Sequence, residues 1–176
     1  MLMNQECTTV SLLNNCIYQH KVLHINYTTY DIWCAQDSLN PWTHGNIMVL
    51  SHEEDPKNAH PYWYTCIVGI FHTMVTHKGS NLRWSKPKKM EFLFVQWFGL
   101  DTDEVGEWKA KRLHQISFLD GNNPSAFGFL DPADVIHAVH LIPQFSLSWT
   151  GNFLGCSIAW SFLDNDEDCV HYYVNM

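Results

Sequence analysis

The side chains that could hold a metal ion or move a proton are eleven histidines, six cysteines and three acidic clusters, at residues 53–55, 101–104 and 164–168. A polymer-cutting nuclease gathers several carboxylates around metal ions. Each of these clusters instead falls in a polar stretch where carboxylates are ordinarily solvated. Asp164, Asp166 and Asp168 have the opening spacing of a calcium-binding EF-hand loop. That loop requires glycine sixth and glutamate twelfth, where this chain has Cys169 and Asn175. Zinc sites favour close ligand pairs. The best groupings are Cys66 with His72 and His77, and His137 and His140 with Cys156. Neither has that spacing, and in a strand Cys66 and His72 share a face that His77 does not. The histidines read as residues of strand ends and turns. No nucleophile elbow, P-loop or dinucleotide fingerprint is present. The expectation is a non-enzyme with no catalytic residue, no cofactor and no metal site.

Aromatic and basic residues offer binding chemistry instead. Alternation along a strand puts Tyr62, Tyr64 and Cys66 on one face, Trp63 and Ile67 on the other, and sends Trp97 and Phe98 in opposite directions. Tyr62, Tyr64, Trp97 and Trp108 are candidates for an aromatic cage, which attracts a methylated lysine through cation–π contact. The competing reading is that these rings fill the core. Arg83, Lys86, Lys88 and Lys89 place four cations within seven residues. That strip is a candidate for phosphate contact or a nuclear address, against the ordinary reading of a solvated loop.

The elements that must carry these residues are strands. His60-Pro-Tyr-Trp-Tyr-Thr-Cys-Ile-Val-Gly-Ile-Phe-His72 and Met90-Glu-Phe-Leu-Phe-Val-Gln-Trp-Phe-Gly99 are rich in β-branched and aromatic residues, a composition that suits a pleated surface buried on both sides. The polar stretch 76–89, broken by Gly79 and Pro87, reads as the loop of a hairpin joining them. Leu23, Ile25 and Tyr27 alternate with His24 and Asn26, giving a strand with one wet face. Residues 47–50 form a short buried strand, and 35–46 are expected as a loop. Residues 1–15 are expected as an arm, a short helix or frayed start. A strand is expected within 108–118 and another over 135–142, stopped by Pro143. Asp131-Pro132-Ala133-Asp134 has an N-cap residue followed by proline, which starts a helical turn. Residues 171–176 read as a strand that the chain leaves unfinished, so the domain is expected to continue beyond Met176.

A chain of 176 residues, 46% hydrophobic and 14% aromatic, has the length and apolar content of one folded domain. Ten basic against 18 acidic residues give a formal charge of −8, which excludes wholesale wrapping of nucleic acid but leaves a local basic strip. Scattered cysteines read as reduced and the chain as intracellular. No apolar run is long enough to span a bilayer. Eight tryptophans stand against two arginines. Single C-to-T or G-to-A changes turn CG-type arginine codons into Trp, Cys, Gln or His. A decayed genomic repeat acquires that bias, as does a chain whose tryptophans are selected for its core.

The stretch 30–44, with 47–51, 60–64, 90–98, 127–132 and 172–176, resembles the carboxy-terminal region of Plavaka-type (CACTA-like) DNA transposon proteins of mushroom-forming fungi. Members of that group carry arginine where this chain has Trp33, Cys34, Trp42, Cys66 and Gln96. Val95-Gln-Trp-Phe98 also resembles one strand of bromo-adjacent homology domains, which are chromatin-associated β-barrels. The resemblance implies a transposase core located elsewhere in a longer protein, and a nuclear setting. Together with the residue patterns, it gives a mainly β fold, a small barrel-like twisted antiparallel sheet with short helical excursions over residues 16–176. The expected role is a non-catalytic accessory module that binds protein or chromatin, or DNA through the basic loop, with no membrane partner. The alternatives are a fragment of a metal-dependent nuclease and a decayed copy without activity.

Overall fold

The computed structural model describes residues 10–28, 33–51, 60–78, 84–100, 113–120, 123–145, 149–150 and 168–175. Within them the backbone is nearly all strand: β1 (Val10–His20), β2 (Leu23–Thr28), β3 (Cys34–Leu39), β4 (Asn46–Leu50), β5 (Tyr62–His77), β6 (Lys88–Leu100), β7 (Gln115–Phe118), β8 (Phe127–Leu130), β9 (Val135–Ala138), β10 (His140–Pro143), β11 (Trp149–Thr150), β12 (Asp168–Cys169) and β13 (Tyr172–Asn175). The two aromatic segments are the long strands β5 and β6. They pair antiparallel from Thr65↔Trp97 to Val75↔Lys88, with one irregularity between Ile67 and Gly69. The expected hairpin is therefore formed. Its mouth is tied by Ser85 N–H donating to the His77 carbonyl at 2.7 Å and by a bridge between Lys78 and Trp84.

The main sheet runs β10-β13-β7-β6-β5-β4-β9, with β1 added to β5 and β8 to β6. All of these pairings are antiparallel. Its two ends, β9 and β10, are consecutive in the chain, separated by Val139, whose N–H donates to the Asn46 carbonyl. The edges of the sheet are thus two halves of one bent segment. That makes the twisted sheet barrel-like without being a continuous closed barrel. Inside this ring lie Met48 of β4, Tyr64 of β5, Phe98 of β6, Ile116 of β7, Val174 of β13 and Val139 between β9 and β10, with Ile136 of β9 and Leu141 of β10 packed against them. The opposite face carries Ile47, Ile67, Ile70, Leu93, Val95 and Val135, together with Leu39 of β3, and Leu23 and Ile25 of β2 pack against it. Both faces of β4, β5 and β6 are therefore buried along the barrel, as their unbroken apolar composition requires.

The β2–β3 hairpin explains one departure from the sequence reading. Residues 35–46, expected as a loop, instead give β3, and the loop shrinks to the turn around Asn40–His44. Polar alternation in Cys34–Leu39 hid a strand with one face turned to water. Gln36 and Ser38 bond across to Asn26 and His24 on that wet face. On the other face Asp37 Oδ2 accepts the Ala138 N–H at 2.8 Å and fastens the hairpin to β9. Leu23, Ile25 and Tyr27 face inward as expected.

Residues 10–15, expected in an arm, belong to β1. Asn14 and Asn15 have φ of 59° and 50°, a left-handed conformation that asparagine tolerates. They absorb the extra residues between the pairs Leu12↔Val75 and Ile17↔Thr73. Asp131 caps a 3-10 turn, Pro132–Asp134, with its Oδ1 accepting the Ala133 N–H, as its sequence predicts. The strand expected within 108–118 is β7, with residues 101–112 outside the described residues. Pro143 closes β10 rather than standing beyond it. Among the described residues no helix is long and apolar enough to cross a membrane.

Candidate functional site

The predicted cage does not assemble from the rings proposed for it. Tyr62 and Tyr64 face the barrel interior, whereas Trp97 packs on the opposite face against Trp63, their centroids 5.8 Å apart and nearly perpendicular. Tyr64 is 1% exposed, a core residue, and burial followed by the neighbouring Tyr62 pushes its phenol pKa up to about 12. Trp108 lies outside the described residues. The faces expected for Tyr62, Trp63, Tyr64, Cys66, Ile67, Trp97 and Phe98 hold, and the cage fails because alternation itself separates Trp97 from the tyrosines.

Of the basic strip, Arg83 lies outside the described residues, while Lys86, Lys88 and Lys89 are exposed. Lys89 Nζ lies 2.6 Å from Glu91 Oε1, and this contact holds the Glu91 carboxyl below its usual range. Both groups are largely exposed, so the pair contributes little stability.

A surface that the sequence reading did not single out lies beside these lysines. Past the barrel, the inner face of β5 and β6 continues onto β8, and five phenylalanines line it in an unbroken series of ring contacts. Phe71 stacks on Phe92 at 5.5 Å, and Phe92 meets Phe129 edge-on at 5.7 Å. Phe129 touches Phe94 at 5.4 Å, and Phe94 stacks on Phe127 at 5.8 Å. Strand alternation puts Phe92 and Phe94 on one side of β6, and the pair Phe94↔Phe129 brings β8 alongside in register. Glycine at 69 lets the Phe71 ring lie over the backbone, since a Cβ there would sit 2.4 Å from that ring.

The four rings other than Phe129 are half-buried, and Phe129 is 72% exposed. A groove of about 520 Å³ opens beside it, lined by Val75, Lys88, Lys89, Met90, Phe92 and Phe129, with Glu91, Leu130 and Asp131 completing its wall. The signal for this ladder was present as Phe92-Leu-Phe94 and Phe127-Gly-Phe129, two i, i+2 pairs. What hid it was the unknown pairing of β8 with β6.

Two histidine pairs also join distant segments. His20 Nε2 lies 2.5 Å from His72 Nδ1 across β1 and β5, with Tyr18 stacked on His72. His60 Nε2 lies 3.1 Å from His114 Nε2, and the His60 Nδ1 is 2.7 Å from the Tyr62 carbonyl oxygen. Loss of solvent, and then His60, lowers the His114 pKa. Loss of solvent, His20 and Lys89 lower that of His72, with Glu91 opposing. Of the zinc groupings weighed from sequence, Cys66 and His72 do not share a face as expected: the irregularity between Ile67 and Gly69 leaves Cys66 toward the barrel interior and turns His72 to the opposite face, where it meets His20. Among the described residues no group of three or more His, Cys, Asp or Glu side chains is placed to hold a metal ion.

Comparison of the chain with known family models, with curated proteins and with solved structures finds no match.

Proposed function

We propose that this chain is a non-catalytic interaction module, an accessory part of a transposon-derived protein acting in the nucleus on chromatin, protein or DNA. The observation that carries the reading is the phenylalanine ladder. Five touching rings on one sheet face, ending in Phe129 at 72% exposure beside an open groove, form a contiguous apolar surface of the kind that marks contact sites. Its basic neighbours Lys86 and Lys88 suit an anionic partner. The transposon origin rests on the sequence resemblance. Retention of the chain on nucleosomes and on bare duplex, at low and near-physiological salt, tests the reading. Wild type should be retained on at least one of them, and Phe92→Ser with Phe129→Ser should lose most of that retention while keeping its circular dichroism spectrum. Equal retention of the double variant contradicts the reading.

A decayed copy without activity is the second reading, and specific observations favour it. Trp33 is 75% and Trp42 59% exposed, and Cys34 is exposed as well. At Gln96, another position where the resembled group has arginine, the side-chain amide is buried without a partner among the described residues. This reading predicts no retention in any arm of the same experiment. The carboxylates needed by the nuclease alternative, at 53–55, 101–104 and 164–167, lie outside the described residues.

A further inference from the structure

The net charge of −8 conceals a strong separation along the chain. Residues 71–100 hold five of the ten basic residues, Lys78, Arg83, Lys86, Lys88 and Lys89, and only one of the 18 acidic ones, Glu91. The fold places four of these cations on the far end of the β5–β6 hairpin: Lys78 is bridged to Trp84, Lys86 precedes β6, and Lys88 and Lys89 begin it. Lys78, Lys86 and Lys88 have no ion-pair partner among the described residues. Exposed apolar side chains alternate with the cations. Trp84 and Met90 are each 54% exposed, and Phe129 and Phe92 flank the groove. On β6, Lys88, Met90 and Phe92 fall on one face.

The exposed rings of Phe129 and Trp84, beside ammonium groups without an ion-pair partner among the described residues, satisfy both requirements of a single-stranded nucleic acid. Its bases have exposed π faces that stack on aromatic side chains, and its phosphates seek cations. A duplex keeps its bases stacked internally and would use the lysines alone. An acidic peptide would also use the lysines but has no flat rings in regular succession for the ladder. We propose that the outer end of the β5–β6 hairpin, with Phe129 of β8, binds single-stranded DNA or RNA. Bases stack on Phe129, which Phe92 supports from beneath, and on Trp84, and the backbone runs along Lys78, Lys86 and Lys88. This rests on the interaction-module reading and names the ligand of that same face.

Fluorescence anisotropy of labelled oligothymidylate, oligouridylate and a matched duplex, titrated with the full chain over a range of salt, tests it. Binding to both single strands should exceed that to the duplex. Phe129→Ala should weaken it by roughly tenfold, with an unchanged salt slope, and Phe129→Tyr should restore it. Lys88→Ala should instead lower the salt slope by about 0.7. Equal or tighter duplex binding, or indifference to Phe129→Ala, overturns the proposal. So does absence of oligonucleotide binding. If nucleosome retention still depends on Phe92 and Phe129 in that case, the module reading survives while this ligand assignment falls.

Discussion

At the scale of single residues, Gln96 is the side chain most at odds with its surroundings. It sits at 0% exposure between Phe94 and Phe98 on β6, and neither its Nε2 nor its Oε1 has a hydrogen-bond partner among the described residues. The pairs Cys66↔Gln96 and Gln96↔Phe127 put a thiol on one side of it and a phenyl ring on the other. An unpaired buried amide costs about 1–3 kcal/mol. Methionine has similar length and flexibility without the polar atoms, and it tolerates irregular space. Gln96→Met should therefore stabilise the fold by about 1–2 kcal/mol, read as a higher urea midpoint at an unchanged slope. A lower midpoint would mean that the amide is satisfied and that its polarity serves the fold. By contrast, Thr65 shows a buried polar group that is matched: its Oγ1 donates to the Gln96 carbonyl at 2.6 Å.

At the scale of elements, the two histidine pairs act as fasteners. One joins β1 to β5, and the other joins the start of β5 to the segment entering β7. A hydrogen bond between two imidazoles needs at least one of them neutral. His72 and His114 have native pKa values below 6.5, so the folded chain binds fewer protons than the unfolded chain just below that pH. Their contribution is complete above pH 6.5 and is lost as pH falls through the lowered native values. Among the described residues, the charged and titratable neighbours of His72 are Tyr18, His20, Lys89 and Glu91, and His114 meets His60, which in turn touches Tyr62. The melting temperature should fall as pH drops from neutral into the range below 6.5. Replacing His114 by glutamine should flatten that dependence, and an unchanged pH profile in the variant would contradict the assignment.

These elements also show where sequence reading succeeded and stopped. The β5–β6 hairpin, the faces of its residues up to Ile67 and the cap at Asp131 follow from local composition and alternation, whereas the irregularity between Ile67 and Gly69 reverses the faces expected beyond it. The strand β3 was missed because its apolar side holds only Ala35, Asp37 and Leu39, a pattern that turn-like polarity overrides. The histidine pairs span 52 and 54 residues, and the phenylalanine ladder depends on β8 returning to β6. Such juxtapositions are made by topology, and no spacing in the chain announces them.

At the scale of the whole molecule, a barrel-like ring of strands supplies rigidity, and its two longest members, β5 and β6, extend past it. There the face that is core within the ring becomes surface. The phenylalanines of β5, β6 and β8 continue the apolar lining outward, and the lysines gather beside them on a chain that is otherwise acidic. The same stretch of sheet therefore has a structural end and a contact end. Hydroxyl-radical footprinting, read by mass spectrometry on the free chain and on the chain saturated with whichever of nucleosome, duplex or oligothymidylate binds best, tests this most directly. Phe129 and Trp84 should be oxidised readily in the free chain and protected in the complex, while Tyr64 stays unmodified in both. Unprotected Phe129 and Trp84 in a saturated complex, or a Phe129 already inaccessible in the free chain, would contradict the assignment of this face.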